Sequence, residues 1–127
     1  MTYIRDTSTP VDTVHQALEQ AAKAEGFGVL HVYDLRQVLT GKGFPQANEC
    51  RVLEICNPAQ ADAVLGMDMA LNMMLPCRVS VWEQDGRTRV GMVPPTELLG
   101  LVSQDPRVAD AAREVEAAMQ RMTDAVV

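Results

Sequence analysis

A tight turn in the second half of the chain most constrains what it can fold into. Asp85-Gly86 separates two segments predicted as strands, residues 77–83 and residues 87–93. Asp-Gly is typical of two-residue hairpin turns, because both turn positions need a positive φ angle. A hairpin joins antiparallel strands, so this turn excludes a purely parallel, doubly wound sheet.

Two amphipathic segments, one near each end of the chain, are predicted as long helices. In the first, Thr9-Pro10 fits an N-cap followed by a first-turn proline, and Gly26 fits the position just after the helix. The last helix begins near Asp105-Pro106 by the same signal. Its apolar residues recur every three or four positions and form one stripe of about five turns: Val108, Ala112, Val115, Met119, Met122 and Val126.

The remaining segments predict the fold class. They are strands over residues 2–7, 28–34 and 50–56, a helical turn over 35–40, a helix from Asn57-Pro58 to about residue 69, and a sheet end at Pro94-Pro95. This order predicts an α+β fold, with helices packed on one face of a mostly antiparallel sheet. Because no linker or internal repeat interrupts it, we expect a single domain over residues 1–127. The second face of the sheet is then either solvated or covered by another chain.

The charge balance argues against several classes of partner. Eleven basic and seventeen acidic residues give a net charge of −6, and no basic segment stands apart. We therefore expect neither a nucleic-acid nor an anionic-membrane surface. No apolar run approaches the roughly 18 residues of a membrane span, and the first ten residues do not have a signal-peptide pattern. Three cysteines are too few for a disulfide framework, so we expect a reducing, cytoplasmic compartment.

Two of the cysteines occur in short motifs at predicted element ends. In Cys56-Asn57-Pro58, Asn57 is expected to cap a helix, which accounts for the motif structurally, while a thiol beside a helix N-terminus can also have a lowered pKa. Cys77 follows Leu75-Pro76 on the apolar face of its strand, where core packing is the simplest interpretation. If Cys56 and Cys77 meet in space, the dithiol can serve redox or sulfur-carrier chemistry or bind a soft metal. The sequence leaves the strand order, and therefore this pairing, open.

One face of the predicted sheet combines aromatic and polar side chains. Strict alternation along residues 28–34 groups His31 and Tyr33 with Val29. It places Leu30 and Val32 on the opposite side. In the strand that begins at residue 77, the side facing away from Cys77 carries similar groups: Arg78, Ser80 and Trp82. Such a face is typical of a ligand groove and equally of a dimer interface, and both interpretations stay open.

A methionine-rich stretch allows a copper(I) interpretation, because thioether and thiolate ligands together suit that ion. Its residues also fit core packing or an interface: Met67, Met69, Met73 and Met74. The cysteine spacings match no zinc signature, and no triad order, paired-carboxylate motif or nucleotide fingerprint occurs. The sequence by itself therefore assigns no cofactor, no metal and no reaction.

Four fragments of the chain form a recognisable set: FGVLHVYDL, VLEICNPAQA, LPCRVSVWE and AAREVEAAM. From residue 27 to the end the chain resembles the domain of unknown function 302 family, above all in its Cys-Asn-Pro and Leu-Pro-Cys pair about twenty residues apart. Cys50 stands where members of that family often have tyrosine, and Pro94 where aspartate is frequent. The resemblance implies a single α+β domain that tends to dimerise, and it implies no activity.

Two hypotheses about function follow. The first is a small cytoplasmic homodimer that binds a small ligand or a partner, with Trp82 and residues 67–74 at the interface. The alternative is a thiol-dependent redox, sulfur-carrier or soft-metal-binding protein. We expect Cys50, which lies outside both motifs, to take no part in either. The candidate binding residues are Cys56, Asn57, Cys77, His31, Tyr33, Arg78 and Trp82.

Overall fold

A computed structural model describes residues 1–127 and contains one five-stranded sheet. Its strands are Tyr3–Thr7 (β1), Gly28–Asp34 (β2), Cys50–Cys56 (β3), Cys77–Gln84 (β4) and Arg87–Met92 (β5). The strands lie in the order β1-β5-β4-β3-β2, and every neighbouring pair is antiparallel. The predicted hairpin is confirmed: Asp85 and Gly86 have φ angles of 52° and 76°, as a turn with two left-handed positions requires.

The chain also forms five α-helices and one 3₁₀ helix. They are Val11–Ala24 (α1), Leu35–Gly41 (α2), Pro58–Met67 (α3), the 3₁₀ helix Met69–Met74, Pro95–Gly100 (α4) and Pro106–Ala125 (α5). The predicted α+β class is confirmed. No helix is long and apolar enough to cross a membrane.

The main core lies between the sheet and the helices α1 and α5. Leu18 of α1 and Met119 of α5 are buried against Leu53 and Val81 of the central strands. The apolar stripe predicted for α5 is buried from Val108 to Met122, while Val126 is only partly buried. A second, smaller cluster joins α3, the 3₁₀ helix, α4 and α5. The opposite face of the sheet carries no helix of this core, and we call it the open face.

The two ends of α1 follow different rules. Gly26, at a φ angle of 83°, follows the C-cap residue Glu25 as predicted, and the N–H of Phe27 donates to the carbonyl of Ala22 at 2.9 Å. This left-handed ending turns Phe27 into the core. The prediction of Thr9 as the N-cap is wrong. Pro10 takes that position, α1 begins at Val11, and no side chain caps it. The Thr9 hydroxyl instead accepts a hydrogen bond from the Thr7 hydroxyl at 3.2 Å.

A β-bulge in β2 corrects the predicted alternation. The register against β3 shifts between Val29 and His31, so Val29 and Val32 both pack against the core. Leu30 is the extra residue, and it is 62% exposed. The prediction that grouped Val29 with His31 and Tyr33 is therefore wrong, whereas His31 and Tyr33 do share the open face.

Two helical details also differ from the prediction. Pro94-Pro95 ends the sheet as expected, but Pro95 then begins α4, where proline is favourable in the first turn. The helix after Asn57 ends at Met67, and Asp68 caps the separate 3₁₀ helix by accepting from the N–H of Ala70 at 2.9 Å.

Replacing Val115 with aspartate tests the docking of α5. Val115 is 7% exposed within the main core, so an unpaired carboxylate there should lower the free energy of unfolding by about 3 kcal/mol or more. Ala109→Asp adds the same group to the exposed side of the same helix and should change it by less than about 1 kcal/mol. Urea denaturation of both variants measures this, and equal midpoints would contradict the docked position of α5.

Candidate functional site

An apolar cavity of about 280 Å³ lies where the end of β3 and the start of β4 meet α3, α4 and α5. We call it the sheet-end cavity. It lies between the two hydrophobic clusters: Phe27 and Ile55 belong to the main core, and Val64 and Leu99 to the smaller one. The lining contains no charged side chain: Phe27, Ile55, Cys56, Asn57, Gln60, Ala61, Val64, Leu65, Asn72, Leu75, Pro76, Cys77, Leu99 and Val115.

Strand pairing brings both motif cysteines to this cavity. Ile55 is the cross-strand partner of Cys77, so Cys56, the last residue of β3, lies beside the first residue of β4. Both thiols are free and both line the cavity. The spatial pairing that the sequence left open is therefore present. Cys50 lies at the other end of β3, opposite Trp82, and does not line the cavity.

Asn57 has the capping position that its motif predicts. Its side-chain oxygen Oδ1 accepts from the backbone N–H of Gln60 at 3.2 Å, and Pro58 occupies the first turn of α3. Asn57 also packs closely on the end of α1: a Cβ atom at Gly26 would lie 3.4 Å from its Nδ2 atom. The side chain therefore caps α3 with its oxygen, while its amide nitrogen lies beside the end of α1.

Burial sets the electrostatics of the cavity. Burial, with a smaller contribution from the nearby Cys56, raises the pKa of the Cys77 thiol to about 11. A thiol with this pKa is protonated at neutral pH, so Cys77 contributes a neutral group to the lining. Together with the uncharged remainder, this makes the cavity a neutral, low-polarity environment.

A polar vestibule of about 330 Å³ adjoins the cavity and shares Phe27, Asn57, Gln60 and Val115 with it. Across it, Arg121 Nη2 contacts Glu25 Oε1 at 2.8 Å, and this guanidinium lowers the pKa of Glu25. Gln60 Nε2 donates to Glu114 Oε2 at 3.2 Å. The charged groups thus stand outside the cavity, with Glu25 paired with Arg121 and Glu114 hydrogen-bonded to Gln60.

The other candidate residues lie on the open face. The rings of His31 and Tyr33 meet edge to face at a centroid distance of 4.4 Å. Arg78 Nε lies 3.9 Å from Glu54 Oε2. A hydrogen bond to the same carboxylate holds the phenolic proton of Tyr33 and raises the pKa of this tyrosine. Trp82 is partly buried, because its ring covers Gly91, where a Cβ atom would lie 3.1 Å from it. The seven candidates therefore form two separate groups.

Residues 3–126 match the family described as Domain of unknown function DUF302. The chain belongs to this family. The crystal structure of an uncharacterized conserved DUF302 protein from Bacillus stearothermophilus superposes with a TM-score of 0.94 and 32% sequence identity, covering 99% of this chain and 98% of that one. No curated protein matches the chain in sequence.

The structure of this chain gives no support to the metal interpretation. It contains no group of three or more His, Cys, Asp or Glu side chains that could hold a metal ion, and no methionine lines the sheet-end cavity. Met67 and Met74 pack against the smaller core cluster, whereas Met69 and Met73 are 65% and 68% exposed. The thioethers and the two thiols are therefore not gathered into one mixed site at the cavity.

Sequence reasoning missed two polar residues of the site, Gln60 and Asn72. Gln60 lies three residues after the capping Asn57, one turn into α3, so helical spacing could have placed it on the same side. Asn72 lies in the 3₁₀ helix, whose position beside the strand ends has no local sequence signal.

The raised pKa of Cys77 gives a pH-dependent stability. A thiol in the unfolded chain ionises near about pH 8.5, so the contribution of Cys77 is fully present below that pH and is lost as the pH rises toward 11. Between pH 8.5 and 11, we expect the free energy of unfolding of the native protein to fall by up to about 2 kcal/mol more than that of Cys77→Ala. Urea unfolding across this range measures the difference, and parallel curves for the two proteins would contradict it.

Proposed function

We propose that this DUF302 chain is a binding module for a small, uncharged, largely apolar molecule, held in the sheet-end cavity. The observation that carries the proposal is a cavity of about 280 Å³ whose lining is apolar with a few carboxamides and no charge. Ligand pockets are typically of this kind: mainly apolar walls with a small number of polar groups that orient the ligand.

The lining selects against charged ligands. Transfer of an ion from water into an apolar cavity is strongly unfavourable unless a partner charge compensates for it, and none lines this cavity. An apolar molecule gains from the same transfer, at about 25 cal/mol for each Å² removed from water. An engineered cavity of about 150 Å³ holds benzene, so this one has room for roughly ten non-hydrogen atoms.

Naphthalene, which is neutral, apolar and fluorescent, is a suitable probe. We expect it to bind the native protein, with NMR shifts concentrated at Ile55, Cys56 and Ala61. Ala61→Phe should fill the cavity and weaken binding at least tenfold, whereas Ala63→Phe, on the exposed side of the same helix, should leave it unchanged.

Thermal melting of both variants shows whether each is folded, and Leu65→Trp fills the same space from a second, partly buried position. If the native protein does not bind naphthalene, or if a folded, cavity-filled variant binds it as well as the native protein does, the proposed function is wrong.

A thiol-dependent function is the second candidate, because two free cysteines line one cavity. The raised pKa of Cys77 weighs against this residue as a nucleophile, because the thiolate is the reactive form of a cysteine. Alkylation by iodoacetamide at pH 6, followed by mass spectrometry, separates the two candidates. Rapid modification of Cys56 would favour redox, sulfur-carrier or soft-metal chemistry, and slow modification of all three cysteines favours the binding module.

We also propose that two copies of the chain pair through the open face. In support, the helices of the main core lie on the opposite face, and Ile4, Tyr33 and Met73 are exposed apolar side chains on or beside the open one. Glu54 and Arg78 lie there together, and a two-fold axis could place each against its opposite in the second copy.

Sedimentation equilibrium at tens of micromolar tests the homodimer. Ser80→Glu, in the middle of the open face, should weaken association at least tenfold, and Thr13→Glu, exposed on α1, should not. A native mass of 13.9 kDa would contradict the dimer.

We propose a reducing, cytoplasmic location for the protein. Three unpaired cysteines, two of them at one cavity, would be exposed to oxidation elsewhere. A disulfide between Cys56 and Cys77 in protein isolated under thiol-trapping conditions would contradict this location.

A further inference from the structure

Cross-strand pairing arranges the residues of the open face in rows that run across the strands. Val90 of β5 is buried in the core, so its neighbour Gly91 and the row to which Gly91 belongs lie on the open face. This central row carries no charge, and each of its members is the pairing partner of the next: Tyr33, Val52, Ser80, Gly91 and Ile4. The row therefore begins at one edge strand and ends at the other.

The two ends of the central row are apolar and accessible. Tyr33 is 39% exposed and Ile4 is 37% exposed. At the second end, Ile4 and the ring of Trp82 both lie against Gly91, where an added Cβ atom would be 3.0 Å from one and 3.1 Å from the other. Four strand spacings separate Tyr33 from Ile4, which is about 19 Å. The two ends can therefore meet only between two chains.

The next row along the strands carries one charge of each sign. Arg78 of β4 is the pairing partner of Glu54 of β3. Arg78 Nε lies 3.9 Å from Glu54 Oε2, which is too far for a hydrogen bond, and the Arg78 side chain is 69% exposed. The guanidinium donors are thus available to a carboxylate from outside the chain.

We infer that two copies pack open face to open face about a two-fold axis that is parallel to the strands and lies between β3 and β4. Rotation about this axis places β4 against β3 of the second copy, and β5 against its β2. Each Arg78 then meets Glu54 of the second copy, and each Tyr33 meets the second copy's Trp82 ring and Ile4. This inference rests on the proposed pairing of two copies and specifies its contacts.

Other positions of the axis match the charges less well. An axis parallel to the strands and centred on β4 would place Arg78 against Arg78 of the second copy, and like charges across an interface repel. An axis along the central row would place Arg78 against Trp82 and Glu54 against Cys50. Only the axis between β3 and β4 brings both charges to their opposites. Packed sheets lie about 10 Å apart, a distance that two opposing long side chains span.

Complementary charge changes test the contact between Arg78 and Glu54. Glu54→Lys and Arg78→Glu each create like charges within the chain and between identical copies. Each variant alone should therefore associate at least tenfold more weakly than the native chain in sedimentation equilibrium. In an equimolar mixture, both contacts between the two different chains join opposite charges again, and association should recover at least fivefold. The like charges within each chain remain, so this recovery reports contacts between chains.

The matched controls are Asp110→Lys and Arg113→Glu, which make the same changes at an ion pair exposed on α5. They should leave association unchanged, and thermal melting shows whether all four variants are folded. A mixture of folded Glu54→Lys and Arg78→Glu chains that associates no better than either variant alone would overturn the inference. An equal loss of association in the control variants would overturn it as well.

Isotope-filtered NMR tests the contact between Tyr33 and Ile4. In a mixture of ¹³C-labelled and unlabelled native chains, we expect nuclear Overhauser effects between the Tyr33 ring of one copy and the Ile4 methyl groups of the other. The separation of about 19 Å within one chain excludes such a signal from a single copy. A native dimer without this signal would overturn the inference.

The mass of the native chain separates failure of this inference from failure of the proposed dimer. If the native chain is a dimer that Ser80→Glu dissociates, but the mixed variants do not recover association, the axis is wrong and the open-face dimer stands. If the native chain has a mass of 13.9 kDa, both are wrong.

Discussion

The antiparallel register between β3 and β4 determines where the candidate site lies. Because Ile55 pairs with Cys77, the end of one strand lies beside the start of the next, although twenty-one positions separate Cys56 from Cys77 in the sequence. The chain between them must leave the sheet and return to the same place. It does so as α3 and the 3₁₀ helix, which pack with α4 and α5 at the end of the sheet. The sheet-end cavity is the space that this excursion encloses.

The two hydrophobic clusters explain why this space is not filled. The main core is closed by α1 and α5 against the central strands, where Leu53 and Val81 have no exposed surface. The smaller cluster is built from the excursion itself and from α4 and α5. Protein interiors otherwise pack closely. Members of both clusters line the cavity, so it is the gap that remains where the two clusters meet. Its walls are apolar because they are the edges of two cores, and its few carboxamide side chains come from the start of α3 and from the 3₁₀ helix.

The candidate residues divide between the end of the sheet and its open face, and the two groups suit different roles. Cys56, Asn57 and Cys77 belong to an apolar, uncharged cavity that suits a small molecule. The open face, with its edge-to-face pair of His31 and Tyr33 and its charged neighbours, is broad and accessible, as a surface for another chain would be. Short motifs at element ends generated the first set of candidates, and alternation along strands generated the second.

Local sequence signals were sufficient for the features that depend on a few neighbouring residues. The turn at Asp85-Gly86, the ending of α1 at Gly26 and the cap at Asn57 each follow from φ angles or hydrogen bonds within about four residues. The same signals placed the apolar stripe of α5 and the antiparallel class of the sheet. They failed at Thr9, whose hydroxyl is bonded to Thr7 while Pro10 takes the N-cap position, and at Val29, where a bulge interrupts the alternation.

Only the tertiary structure decided the strand order, the meeting of Cys56 with Cys77 and the inclusion of Gln60 and Asn72 in one cavity. These features join residues from separate elements, and no periodicity within one segment reports which strand will be its neighbour. Pairing between strands depends on burial summed over the whole sheet and its helices, so it is settled when the chain packs. The sequence by itself determined which elements form and which residues can do chemistry, and packing decided which of those residues face the same space.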